Sequence, residues 1–236
     1  PRFVAMYFSA VDHAGHMYGT RSRAVRKALK KVDAAIGMLR RELEERDLLS
    51  RVNLVIVSDH GMADVKQRID LDRYWPEVEE HLDWADWGPV ASFHPRVGHL
   101  EKVHAKLLEV CADLPVTVYM REELPAHFKY HSNVRIAPLL IVSEVGYTVD
   151  LSTSTFYPRG NHGYDPTDER MNAILIAHGP KIISPSQQWT LEEAGHPIPE
   201  AIENVEVYPF IADLMEIEPM PSNGTGLLSN LVVQRL

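Results

Sequence analysis

A carboxylate and an imidazole stand side by side after a short apolar run. Residues 54–57 are Leu-Val-Ile-Val, and Asp59 and His60 follow within three residues, directly before Gly61. Such a run is typical of a strand buried on both faces, and ligands in open α/β sheets bind beyond the carboxyl ends of strands. The pair suits a hard-to-borderline metal such as zinc; the alternative is a polar turn after a buried strand.

A second pair of the same chemistry follows the apolar segment 2–9. Asp12 and His16 are four residues apart, which places them on one side of a helical turn. His13 lies between them and is either an additional ligand or a neighbour of the site. The sequence therefore places a potential ligand pair after each of two apolar segments.

A third candidate is a histidine in a glycine-rich turn. His162 lies between Gly160 and Gly163, so that both the backbone and the imidazole could approach a ligand closely. A lone histidine in such a turn usually has no function, and this residue gains weight only beside the other candidates. The 12 histidines of this acidic chain also raise the expectation of a metal site.

The sequence around the two pairs predicts the elements that would position them. Residues 2–9 and 52–57 are apolar segments that predict strands. In residues 20–46, apolar side chains recur at spacings of three and four, which predicts a helix. Strand, helix and strand form a βαβ unit, so the two strands should be parallel in one sheet and both ligand pairs should lie at its edge. The apolar stripe of the helix consists of Val25, Leu29, Val32, Ile36, Leu39 and Leu43.

The rest of the sequence continues the α/β pattern. Residues 63–82 predict a loop and a short helix that cover the site, in which Asp64, Asp70 and Asp72 are turn or cap residues rather than ligands. Further strands are predicted over residues 88–93, 116–120, 136–142, 147–151 and 171–177, and further helices over 100–110 and 205–215.

Composition and charge narrow the class of protein. The 236 residues, 45% of them apolar and 24% charged, are ordinary for a globular chain with one large domain or two small ones. The net charge of -9 argues against a partner such as duplex nucleic acid held by phosphate contacts, but not against a phosphate-bearing substrate, since bound cations can reverse the local field. Cys111 is the only cysteine, which excludes an intrachain disulfide and a cysteine-based zinc site.

Three motifs together resemble the nucleotide pyrophosphatase/phosphodiesterase family of the alkaline phosphatase superfamily. They are Asp12-x-x-x-His16, Asp59-His60 and His162-Gly163-Tyr164, and their order and the spacing of the first two are hard to produce by chance. The resemblance covers nearly the whole chain. Further matches are Met6-Tyr7, Val32-Asp33, Gly37-Met38, Ser58 to Met62, Gly88-Pro89-Val90, Val118-Tyr119, Leu124-Pro125, Arg135-Ile136, Ala177 to Pro180, Glu203 to Tyr208 and Asn223-Gly-Thr225.

This resemblance implies an alkaline-phosphatase-like α/β fold, with a mostly parallel central sheet and helices on both faces. It also implies two zinc ions in one site. Asp12, His16 and His162 would hold one ion, and Asp59 and His60 would form part of the other. The family completes the second ion with an aspartate and a threonine nucleophile that lie upstream of the region matching residue 1. Residues 1–236 would therefore be the C-terminal portion of one catalytic domain, with no catalytic nucleophile of their own.

The implied activity is zinc-dependent hydrolysis of phosphodiester or pyrophosphate bonds. The threonine would attack phosphorus, and small nucleotides, dinucleotides or choline phosphodiesters would all fit as substrates. Tyr7 stands where the family has an aromatic residue lining the substrate pocket, although ordinary strand packing fits this residue equally well. The sequence departs from the family pattern at residues 9–11, where an acidic pair and proline are usual, and at Gly19-Thr20, where Gly-Pro is usual.

Two other functional classes remain open at this point. The chain could be a non-catalytic metal-binding fragment or subunit, or a phosphomonoesterase or sulfatase of the same superfamily. The family implies a secreted, periplasmic or extracellular location, with membrane association only through segments outside this sequence. The expected partners are a small-molecule substrate and the upstream segment of the same domain. Asn223-Gly-Thr225 is the only glycosylation sequon, which is a weak signal for a glycoprotein.

Overall fold

The computed structural model describes residues 2–183 and 201–232. Its helices are α1 (Ala10–Tyr18), α2 (Arg23–Glu45), α3 (Leu100–Cys111) and α4 (Val207–Met215). Its strands are β1 (Leu54–Val57), β2 (Ala63–Asp64), β3 (Gln67–Asp70), β4 (Leu82–Asp86), β5 (Val90–Pro95), β6 (Val116–Met120), β7 (Leu139–Ser143), β8 (Tyr147–Asp150), β9 (Gly160–Asn161) and β10 (Leu175–His178). The chain divides into two compact units, a first unit of residues 1–8, 31–59 and 173–236 and a second unit of residues 9–30 and 60–172.

The first unit is built on an antiparallel pair of strands, β1 and β10, in which Ile56 lies opposite Ile176. Phe210 and Leu214 of α4 are four residues apart and therefore share one face of the helix. Both are buried in a cluster against which Val55 of β1 packs. This packing fixes β1, the strand that Asp59 and His60 follow.

A buried carboxylate, directly before α4 in the first unit, binds the segment that follows this helix. Glu206, 4% exposed, accepts hydrogen bonds from the backbone N–H of Thr225 (2.7 Å), from the Thr225 hydroxyl (2.9 Å) and from the N–H of Leu227 (3.0 Å). The bonds from Thr225 hold the pKa of Glu206 below its ordinary value, against the opposing effect of burial. The threonine of the sequon thus has a structural partner of its own.

The second unit contains an antiparallel sheet in the order β4-β5-β7-β6. All five residues of β7 are buried, as expected for the apolar run from which this strand was predicted. α3 contributes Val103, Leu107 and Cys111, which recur every four residues and are buried together in the same cluster as strand residues such as Ile141. Burial raises the pKa of the Cys111 thiol to about 11.

Two short strand pairs complete the second unit and lead to the candidate site. β3 and β8 are parallel, with Ile69 opposite Val149. β2 and β9 are antiparallel, with Ala63 opposite Asn161. The second of these pairs brings the turn that contains His162 next to the segment that follows His60.

Most elements predicted from local pattern are present in the described residues. The helices over 20–46, 100–110 and 205–215 are confirmed as α2, α3 and α4, and the later strands are confirmed as β5, β6, β7, β8 and β10, with boundaries shifted by up to four residues. Residues 63–82 contain β2, β3 and short 3-10 turns rather than a loop alone. In α2, Leu29 of the predicted stripe is 56% exposed, and Ala28 is the buried residue.

Within residues 2–183 and 201–232, no helix combines the length and apolarity needed to cross a lipid bilayer.

The predicted strand over residues 2–9 is not formed, and this prediction is wrong. The segment has no regular secondary structure, and β1 pairs with β10 in the antiparallel sense instead of lying parallel to residues 2–9. Among the strand pairs of the described residues, only β3 with β8 is parallel, so the mostly parallel pairing expected is not seen within either unit. A strand needs a neighbour for its backbone groups, and the segment has none in the described chain. Its apolar side chains are accordingly 47–78% exposed, as in Phe3, Val4, Met6, Tyr7 and Phe8.

Candidate metal centre

Helix α1 positions the first two candidate ligands, as the spacing predicted. Asp12 lies in its first turn and His16 in its last turn, one turn apart on the same side. The Oδ1 atom of Asp12 is 3.4 Å from Nε2 of His16. Both side chains are half-buried, whereas His13 between them is exposed.

The glycine-rich turn after β9 supplies the third candidate. His162 places its Nε2 atom 3.1 Å from Nε2 of His16 and 3.5 Å from Oδ1 of Asp12. One ligand atom from each of these three residues lies within 4.8 Å of the others, and this is the only such group of three found in the described residues. Two imidazole nitrogens and a carboxylate oxygen that converge in this way form a typical zinc ligand set.

Hydrogen bonds to carbonyl groups fix the tautomers of two histidines in the site. Nδ1 of His16 lies 2.9 Å from the carbonyl oxygen of Gly160, and Nδ1 of His60 lies 2.8 Å from that of Gly61. A carbonyl oxygen can only accept, so each Nδ1 carries the proton and donates it. In the neutral imidazole, this tautomer leaves the lone pair that a metal ligand needs on Nε2, which is the usual role of such partners around metal-binding histidines.

The rings of His16 and His162 are oriented as two ligands of one metal ion are, rather than as partners in a direct hydrogen bond. Two imidazoles that bind one zinc ion at about 2.05 Å through nitrogens separated as here would have ring centroids about 4.8 Å apart. A head-on hydrogen bond of the same length would place the centroids about 5.4 Å apart. The observed separation is 4.9 Å. In addition, Oδ1 of Asp12 is buried and accepts no hydrogen bond among the described residues, so these residues fit a bound cation.

A second histidine pair in the same unit has a different geometry. The Nδ1 atoms of His81 and His99 are also 3.1 Å apart, but their ring centroids are 5.2 Å apart, closer to the head-on arrangement. Nζ of Lys102 lies 3.4 Å from Nε2 of His81, so Lys102 can donate to that nitrogen and His81 can donate through Nδ1 to His99. This pair is a proton-sharing contact rather than a second metal centre.

Comparison with known proteins identifies the family. The model of the family described as type I phosphodiesterase / nucleotide pyrophosphatase matches residues 1–165. The chain belongs to this family. The resemblance found in the three motifs is thereby confirmed.

Curated relatives of this phosphodiesterase-family chain match nearly all of it. It is 33% identical over 232 residues to mouse ectonucleotide pyrophosphatase/phosphodiesterase family member 7, covering 95% of this chain and 50% of the relative. It is also 33% identical over 226 residues to the mouse bis(5'-adenosyl)-triphosphatase enpp4, covering 94% of this chain and 46% of the relative. The chain thus spans about half the length of the curated relatives that it matches.

Solved structures confirm the fold class. Human ectonucleotide pyrophosphatase/phosphodiesterase 5 matches with a TM-score of 0.82 and 30% sequence identity, covering 94% of this chain and 56% of that chain. An inactive threonine-to-alanine variant of the murine protein, solved in complex with AMP, matches with the same scores. The alkaline-phosphatase-like α/β fold expected from the sequence is therefore confirmed.

The remaining predicted site residues of this phosphodiesterase-family chain are placed as follows. The His60 ring stacks on the His162 ring at a centroid distance of 3.5 Å and an angle of 15°, so His60 lies beside the group of three. Asp59 belongs to the first unit, where its carbonyl oxygen accepts a hydrogen bond from Nδ2 of Asn204 (2.7 Å). Tyr7 belongs to the first unit as well and is 78% exposed.

One departure from the family pattern has a structural reason. The backbone N–H and the hydroxyl of Thr20 both donate to Oδ1 of Asp64, at 2.6 and 2.8 Å. The proline usual at this position has no N–H and could make neither bond. Gly19 precedes it with φ = 83°, a conformation that glycine adopts readily. Asp64 thus holds the turn that follows α1, consistent with the turn role predicted for it.

The close backbone contacts around the candidate ligands were not predicted from the sequence. A Cβ atom on Gly61 would lie 2.1 Å from the carbonyl oxygen of Arg170, and one on Gly160 would lie 2.7 Å from that of Gly15. The only signal in the sequence was that a glycine stands next to or near each candidate ligand. Tyr164 is buried in a small cluster with Ala63 and Met171, and this burial raises the pKa of its hydroxyl group to about 12.

Proposed function

We propose that this chain forms the metal-binding portion of a hydrolase of phosphodiester or pyrophosphate bonds. The substrates would be small nucleotides or related phosphodiesters. The observation that carries the proposal is the convergence of Asp12 Oδ1, His16 Nε2 and His162 Nε2, each pair between 3.1 and 3.5 Å apart. Membership of the type I phosphodiesterase / nucleotide pyrophosphatase family supports the reaction class.

In this proposal the site holds two zinc ions. Asp12, His16 and His162 hold one ion, and Asp59 and His60 hold part of the other. Zinc bound at such a site polarises a phosphoryl oxygen and lowers the pKa of an attacking hydroxyl. The chain itself contributes oriented imidazoles, because the carbonyl groups that accept from Nδ1 of His16 and His60 favour the neutral tautomer in which Nε2 is the ligand atom.

The nucleophile is proposed to be a threonine on an upstream segment, and residues 1–236 to be the C-terminal portion of one catalytic domain. The chain spans about half of its curated relatives, and the inactive variant of the murine relative carries alanine in place of threonine. The exposed apolar segment that includes Phe3, Val4, Met6 and Phe8 supplies a surface for the upstream segment to cover. Pairing with that segment would give residues 2–9 the strand that their sequence predicts.

Substrate and location are proposed on narrower grounds. AMP in the murine complex and the adenosyl substrate in the name of the enpp4 relative support a nucleotide, on which exposed Tyr7 could stack. The prefix in the relatives' names supports a secreted or extracellular location. Asn223 of the sequon is exposed and is proposed to carry a glycan.

The test measures zinc content together with hydrolysis of a p-nitrophenyl ester of a nucleoside monophosphate. The chain is measured alone and joined to the upstream segment, as wild type and as His162→Ala, with the exposed His131→Ala as a matched control. Two zinc ions and turnover in the joined form are expected for the wild type and the control, with loss of both zinc and activity in His162→Ala. Zinc without turnover in the joined form would favour the non-catalytic metal-binding subunit, and no zinc in either form would refute the site.

A further inference from the structure

A methionine fills the space between two glycines of the second unit. A Cβ atom on Gly15 would lie 2.2 Å from Sδ of Met62 and 3.1 Å from its Cε. A Cβ atom on Gly160 would lie 3.0 Å from the same sulfur. The Met62 side chain therefore occupies a slot that exists only because both neighbours lack a side chain.

This slot lies where the three ligand-bearing segments meet. Gly15 directly precedes His16 in α1, and Met62 follows His60 by two residues. Gly160 accepts the hydrogen bond from Nδ1 of His16 and begins β9, which ends directly before the third histidine. The Met62 side chain, carried by the segment that follows His60, thus lies close to the segments that carry His16 and His162.

We propose that Met62 is a positioning residue that sets the spacing of His16, His60 and His162. The inference rests on the proposed function, because spacing matters only if these histidines bind a metal. The thioether is flexible and polarisable and fills irregular gaps well, so it can hold two backbones at a fixed distance without a hydrogen bond. Glycine is also a poor helix former, and its presence inside α1 is accounted for by this packing.

A double-variant cycle tests the slot. Gly15→Ala should weaken Co²⁺ binding by the chain severalfold, because its methyl group overlaps the sulfur of Met62 and the flexible Met62 side chain then has to leave the slot. Met62→Ala should also weaken binding, because the slot is left unfilled. The double variant should bind more tightly than Gly15→Ala, since the new methyl group takes the place of the sulfur and its three nearest atoms all belong to Met62.

Gly160→Ala provides the matched control for this rescue. Its Cβ atom would meet the carbonyl oxygen of Gly15 at 2.7 Å as well as the sulfur, so removing the Met62 side chain cannot relieve the clash. Gly160→Ala should therefore be equally weak with and without Met62→Ala. Met62→Leu should retain affinity because it conserves volume, and Met38→Ala should have no effect because Met38 is 56% exposed on α2.

A metal-independent signal separates this inference from the proposed function. The Nδ1 proton of His16 that is donated to Gly160 should give a slowly exchanging ring N–H resonance in the metal-free chain. Met62→Ala and Gly15→Ala should lose it, and the double variant should regain it. Absence of Co²⁺ binding by the wild type would refute the proposed function while this resonance still tests the slot. The role of Met62 would be overturned if Met62→Ala left the resonance or the Co²⁺ affinity unchanged. It would also be overturned if the double variant bound Co²⁺ no more tightly than Gly15→Ala.

Discussion

Replacement of Gly61 by alanine should displace His60 and lower the activity of the candidate site. The new Cβ atom would lie 2.1 Å from the carbonyl oxygen of Arg170 and 2.8 Å from that of Asn172. Both obstacles are backbone atoms, so no rotamer change can relieve the contact. The N–H of Gly61 also donates to the carbonyl oxygen of Met171 at 2.8 Å, which holds the two segments together at this point.

The size of the effect follows from the overlap. A relaxed carbon–oxygen contact is about 3.3 Å, so the segments must separate by about 1 Å. His60 directly precedes Gly61 and stacks on His162, and it would move with the backbone. A misplacement of about 1 Å can cost about 100-fold in rate. Overpacking of this kind should also lower the free energy of unfolding by about 1–3 kcal/mol.

The assay is kcat/KM for a p-nitrophenyl ester of a nucleoside monophosphate, measured with the chain joined to its proposed upstream segment, together with urea unfolding. Gly37→Ala is the matched control, because its Cβ atom would have only Nη1 of Arg41 nearby, at 3.9 Å. In the interior of α2 this change should leave activity intact and stabilise the helix by up to about 1 kcal/mol. A Gly61→Ala variant with activity within threefold of wild type would show that this close approach does not position His60.

Three further outcomes are expected. Phe210→Ala removes a fully buried ring from the first unit and should lower the free energy of unfolding by about 3–5 kcal/mol in urea titrations; a loss below 1 kcal/mol would contradict the packing described. The bonds from Thr225 lower the pKa of Glu206 from 4.5, so its contribution to stability is complete above that pH and is lost as the pH falls through the lower folded value; Glu206→Gln should flatten the acid limb of a pH–stability curve. Partial burial and Lys102 lower the pKa of His81 from 6.5, so stability should fall as the pH drops below 6.5, and His81→Gln should remove that part of the slope.

The parts of the fold that depend on local pattern were predictable. Val103 and Leu107 recur at helical spacing, and the structure buries both on one face of α3. The spacing of Asp12 and His16 likewise predicts two ligands on one turn, and α1 places them there. Such predictions need only the period of the element, which is a property of neighbouring residues.

Contacts between distant segments were not predictable in the same way. Nothing in the sequence shows that the side chain of Met62 enters the gap between Gly15 and Gly160, because the gap forms only when α1 and β9 come together. The bonds from Thr20 to Asp64 join residues 44 positions apart, and each residue taken alone reads as an ordinary turn residue. The predicted βαβ unit would bring the two ligand pairs together through a parallel strand pair that the described chain does not form, and only the family resemblance grouped His162 with Asp12 and His16.

The segment 2–9 shows that an apolar sequence does not by itself determine a secondary structure. A continuous apolar run, such as residues 3–8, indicates that a segment can be buried in a sheet, but it does not identify the neighbour that buries it. Here Phe3, Met6 and Tyr7 are more than half exposed. Large apolar side chains exposed together usually mark a surface that another segment covers. The failed strand prediction and the half-length match to the relatives therefore point to the same proposal, in which an upstream segment completes both the sheet and the catalytic site.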